Sequence, residues 1–96
     1  MGSIKHPPGS DAARLDLAAA YGEIAAELRE AYKKRQHEVA DALGIARPNY
    51  SRSEQGKHTP TAEVFIRLAR FYGLEDHQVF RLVVERARLR AEGRTP

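Results

Sequence analysis

There is no cysteine anywhere in the 96 residues. That excludes a disulfide framework, thiolate chemistry and a zinc ribbon. No apolar run approaches the roughly 20 residues needed to span a bilayer. The opening MGSIKHPPGS lacks an apolar stretch long enough for a signal peptide. These absences predict a soluble chain with no membrane role, placed in the cytoplasm, and residues 1–10 read as a flexible leader. The seven glycines never fall at the spacing of a phosphate loop. His6, His37, His58 and His77 are scattered, and His37-Glu38 lacks the second histidine of a zinc-protease motif. His37 and Asp41 share a helix face at i, i+4, but two ligands do not make a site. Glu75 and Asp76 suit the first turn of a helix. No catalytic residue, metal or cofactor is expected, so the chain does not read as an enzyme. The two-residue alternation of a strand is missing too, which leaves an all-α class.

What is present fits one small domain. The chain is 42% hydrophobic, enough for one modest core. Small domains bury a smaller share of their surface, and short chains often compensate by dimerising. Net charge is +3, unevenly spread. Residues 1–31 hold three Lys/Arg against five Asp/Glu, residues 32–60 six against three, and residues 61–96 seven against five. The positive excess sits in the middle and the tail, as a nucleic-acid binder would have it, although a solvated surface looks similar.

Helical periodicity runs through the chain. From Asp11 to about Lys34, apolar residues fall at Leu17, Tyr21, Ile24, Leu28 and Ala31, the spacing of one helical face. Asp11 is a candidate cap, and Gly22 a candidate break into two pieces. Val39, Ala40 and Leu43 make a short face that stops at Gly44. A further helix is expected over 47–55, with Pro48 in its first turn and Gly56 closing it. Thr61 or Pro60 opens another, with Val64, Phe65, Leu68, Ala69 and Tyr72 as its face up to Gly73. The last runs from about Glu75, with Val79, Phe80, Leu82, Val83 and Ala87 on its apolar side.

The helix over 47–55 has little to bury. It follows the helix over 36–43 across a glycine turn, which is the helix-turn-helix arrangement. In that geometry the first helix braces the second, and the second enters a DNA major groove. A groove-facing helix needs donors of different reach on its outer side, and Arg47, Asn49, Ser51 and Arg52 supply them.

RQHEVADALGIARPNYSRSEQGKHTPT resembles the Xre/Cro-like, phage-repressor type of helix-turn-helix family. Gln36, Val39, Ala40, Leu43, Gly44, Ile45, Ser51, Glu54, Gly56 and Pro60 sit at matching positions, and AEVFIRLARFYGL resembles the family's fourth helix. The resemblance implies a compact five-helix repressor-like domain over 22–84. The two ends lie outside that minimal fold: 11–21 reads as a helical N-terminal extension and 85–96 as a basic C-terminal helix end and tail. The resemblance places Arg47, Pro48, Asn49 and Arg52 where bases are read, and Gln36, Ser51, Lys57 and His58 where phosphates are held. It also pairs Glu54 with Arg29 as a structural ion pair.

The pattern is broken in places. Ala46 and Arg35 stand where capping Ser or Thr is usual, and Tyr50 and Ser53 stand where aliphatic residues are usual. Tyr50 and Ser53 read as one compensating change, a ring filling the space a small residue vacates. The implied function is sequence-specific transcription regulation through double-stranded DNA. The expected form is a dimeric repressor on half-sites roughly 34 Å apart. A dimer contact from one end of the chain and backbone-binding charge from the other would complete it. The alternative is an antitoxin or anti-activator whose main partner is another protein, with DNA binding kept for autoregulation.

Overall fold

The computed structural model describes residues 15–93. Its order is α1 (Leu17–Ala31), α2 (Gln36–Leu43), α3 (Arg47–Glu54), α4 (Ala62–Phe71) and α5 (Asp76–Ala91), with no strand among the described residues. The all-α, five-helix expectation holds. Residues 1–10 and Asp11 lie outside the described residues, as does Arg94 of the basic tail.

α1 begins at Leu17, later than the periodicity suggested. Asp16 is non-helical and its carboxylate accepts from the Ala19 N–H at 3.0 Å, which caps the first turn. Gly22 does not break α1. The helix passes through it without interruption, because the glycine is needed for closeness rather than for a bend. A Cβ on Gly22 would run into the Ser53 carbonyl oxygen, with Glu54 O at 2.8 Å and Gly56 N at 2.9 Å. The missing side chain lets α1 lie directly on the end of α3.

One core joins the helices. Tyr21, Ile24, Val39, Leu43, Tyr50, Leu68, Val79 and Val83 are all buried within it. α1 packs against α5 on one side and α3 on the other, while α2 packs against α3 and α4. Ion pairs reinforce the α1–α5 contact. Arg86 donates to Glu23 at 3.0 Å and to both oxygens of Glu27 at 2.6 and 2.9 Å. Arg90 also pairs with Glu23. Two arginines of the basic end, Arg86 and Arg90, are therefore paired with carboxylates of α1.

The apolar side assigned to α5 from sequence was too wide. Val79, Val83 and Ala87 are buried, but Phe80 is 58% exposed and Leu82 41%. The helix meets its neighbours along a narrow i, i+4 stripe, and its flanks stay open.

Candidate nucleic-acid interface

The site begins with how the α2–α3 corner is made. Gly44 follows α2 with φ 73°, a left-handed conformation that an L side chain adopts only at a cost. Its N–H and that of Ile45 donate to Asp41 O and Ala40 O, both at 3.1 Å, which closes the end of α2. Arg67 of α4 donates to Leu43 O at 3.2 Å and pairs with Glu63 at 2.5 Å. The corner is thus clamped from outside by a residue 24 positions away. Arg67 was not anticipated: no local pattern connects an arginine on α4 with a carbonyl ending α2.

α3 has no side-chain cap at Ala46, and Pro48 sits in its first turn. Its inward side is Tyr50, fully buried, and Ser53, 8% exposed. The Ser53 hydroxyl donates to Asn49 O at 3.2 Å. The aromatic and the small residue share the inner face of α3.

The opposite side of α3 is polar. Arg47, Pro48, Asn49 and Arg52 are exposed, and Ser51 is half-buried at the edge. Arg52 donates from Nη1 to Asn49 Oδ1 at 2.8 Å, so these two side chains hold each other in the free protein. Lys57 and His58 are exposed just beyond α3, where the Lys57 N–H donates to Arg52 O at 3.1 Å.

Beneath the end of α3 lies a charged knot. Arg29 donates to Glu54 from Nε at 2.6 Å and from Nη2 at 3.1 Å, and from Nη1 to Lys34 O at 3.3 Å. Gln36, at the first position of α2, donates to Glu54 Oε1 at 3.0 Å. One carboxylate thereby ties α1, α2 and α3 together. Burial alone would raise the Glu54 carboxyl, but the polar partners Arg29, Tyr50 and Gln36 together with the guanidinium charge outweigh it and hold it below the usual carboxylate range. Gln36 spends one amide N–H here and keeps the other. The hydroxyls of Tyr21 and Tyr72 are buried nearby without hydrogen-bond partners, while that of Tyr50 interacts with the Glu54 carboxylate. Burial pushes all three phenols up, that of Tyr72 to about 12.

The structure thus brings Arg47, Pro48, Asn49 and Arg52 onto one surface, with Lys57 and His58 at its far end. It sets Arg29, Gln36 and Glu54 behind that surface as its support. Among the described residues, no group of three His, Cys, Asp or Glu could hold a metal ion, and no helix is long and apolar enough to cross a membrane.

Comparison with known proteins adds three findings. A family model described as a helix-turn-helix domain matches residues 20–82, well over half of the chain. The crystal structure of the clp gene regulator ClgR from Corynebacterium glutamicum is similar, with a TM-score of 0.73 over 80% of this chain and 82% of that one. At 19% identity that likeness is one of fold. No curated protein sequence matches the chain.

Proposed function

Because the chain belongs to the helix-turn-helix domain family, within the Xre/Cro-like group, and so to DNA-binding transcription regulators rather than an enzyme family, we propose that it is a dimeric repressor that lays α3 in the major groove of a two-fold-symmetric operator. Arg47 and Arg52 reach the O6 and N7 acceptors of guanine, each bidentate contact being worth about 1–3 kcal/mol of discrimination. The Asn49 amide reads adenine or steadies Arg52, and Pro48 packs against the base edges. Gln36, Ser51, Lys57 and His58 hold phosphates on either side, fixing register rather than sequence.

One observation carries this reading. α3 has a single inward face, Tyr50 and Ser53, and every side chain on its other face is a donor, an acceptor or the first-turn proline. Repression follows from occupancy: a dimer across two half-sites about 34 Å apart covers the DNA a polymerase must reach. The test is selection of bound duplexes from a random pool, with the mass of the selected complex measured alongside. A palindromic consensus bound by two chains is the expected result. No enrichment, or a single chain on an asymmetric site, overturns the dimeric reading.

A further inference from the structure

The two ends of α3 are held differently. Glu54, its last residue, is tied to Arg29 of α1 and Gln36 of α2. At its start Ala46 provides no side-chain cap. Only Gly44, Ile45 and Ala46 lie between α2 and α3. The direction in which α3 leaves the corner therefore depends on how firmly that short link is fixed.

Arg67 fixes it from α4. Its Nη1 donates to Leu43 O at 3.2 Å, and its Nη2 donates to Glu63, one turn earlier on α4, at 2.5 Å. The last carbonyls of a helix have no partner within it. The turn itself uses those of Ala40 and Asp41, and Arg67 takes that of Leu43. Gly44 makes room for this contact. A Cβ there would lie 2.5 Å from Nη1, so the missing side chain serves the guanidinium as well as the left-handed turn. The Arg67 and Glu63 side chains are 46% and 72% exposed, and so open a pair adds little to stability. Its effect is on direction.

With Glu54 as the pivot, loss of the clamp frees the start of α3. Arg47 stands about 10 Å from Glu54 at ~1.5 Å per residue, so a tilt of about 10° moves it by about 2 Å. That is more than the whole hydrogen-bond range of roughly 2.7–3.2 Å allows. Arg52 is close to the pivot and moves little. A lysine on a phosphate follows such a shift through its flexible stem.

We propose that Arg67 is a positioning residue for sequence readout: by holding the corner it fixes the first turn of α3, and with it the base contact of Arg47. The inference deepens the reading of α3 above and rests on it.

The test compares wild type, Arg67→Met and Arg67→Lys in the full chain. Methionine keeps an unbranched, helix-favouring stem without the donors. Lysine keeps a donor that can reach Leu43 O. Each protein is titrated against the selected operator, its single-base-pair variants and a scrambled duplex, and circular dichroism checks folding. Arg47→Ala and Arg52→Ala identify the base pair that each arginine reads. At the Arg47 base pair, Arg67→Met loses preference at least about fivefold. Its preference at the Arg52 base pair, its affinity for scrambled DNA and its salt slope stay at wild-type values. Arg67→Lys behaves as wild type. Hydrogen exchange at the Gly44 and Ile45 amides rises in Arg67→Met, which reports a loosened corner. Four results each overturn the role of Arg67: an intact preference in Arg67→Met, an equal loss at every base pair, a reduced salt slope, or corner amides that exchange no faster. Loss in Arg67→Lys to the same degree as in Arg67→Met overturns it too. A wild type with no preferred duplex, or an Arg47→Ala variant with every preference intact, is a different failure. It removes the reading of α3, and this inference with it.

Discussion

Gly22 of α1 lies directly against the Ser53 carbonyl of α3, with no space between them for a methyl group. Gly22→Ala is therefore expected to destabilise, although alanine favours a helix over glycine by about 1 kcal/mol. The new methyl meets backbone atoms, which cannot swing aside, and overpacking of that kind costs about 1–3 kcal/mol. Calorimetry should show a lower midpoint, by roughly 4–8 °C for each kcal/mol lost in a domain of this size. A raised midpoint would mean that α1 and α3 separate freely.

Arg47→Ala and Arg52→Ala should each weaken binding to the selected operator by about 1–3 kcal/mol and relax preference at one base pair. Thermal stability should stay near wild type, since both side chains are exposed. Titration against the operator and against a scrambled duplex checks this. Unchanged operator affinity in both variants removes α3 as the reader.

Lys57→Ala should lower affinity for operator and scrambled DNA alike. Binding measured across salt concentrations should lose about one unit of slope, the signature of one phosphate contact. An unchanged slope would take Lys57 off the phosphate list.

The Glu54 carboxyl has a depressed pKa in the folded chain, with Arg29 as its partner. A group shifted in that direction contributes stability above its unfolded pKa of about 4.3 and loses it as pH falls through the lower folded value. Wild type should hold its stability at neutral pH and lose it in acid. Glu54→Gln should be less stable at neutral pH, where it leaves Arg29 without its carboxylate, and should converge on wild type at low pH. Urea midpoints of both proteins measured against pH test this. A gap that stays constant to low pH would show that the pair gives no pH-dependent stabilisation.

The corner and α3 were the most legible parts of the chain. Gly44 has one conformational use at the end of a short amphipathic helix, and the polar run after it can only face solvent or a ligand. Other features were hidden because one residue type serves two physical purposes. Gly22 could end a helix or permit close approach, and only the neighbour across the interface decides which. Phe80 and Leu82 extend the apolar face of α5 in sequence, yet the partners of that helix cover a narrower stripe. The Arg67 clamp on Leu43 joins residues on separate helices, so no local spacing announces it. Arg86 and Arg90 of the basic end read as free surface charge until α1 supplied Glu23 and Glu27 beside them.

The hydrogen bond between Arg52 and Asn49 has a bearing on how this surface can be re-coded. Each of these side chains restricts where the other points, so neither is an independent letter. If Arg52 reads a base as proposed, replacing Asn49 should release the guanidinium to new rotamers and shift selectivity at that base, even where Asn49 does not touch it. On that reading, libraries that vary one position at a time should meet epistasis here, and new operators should come from paired changes at 49 and 52.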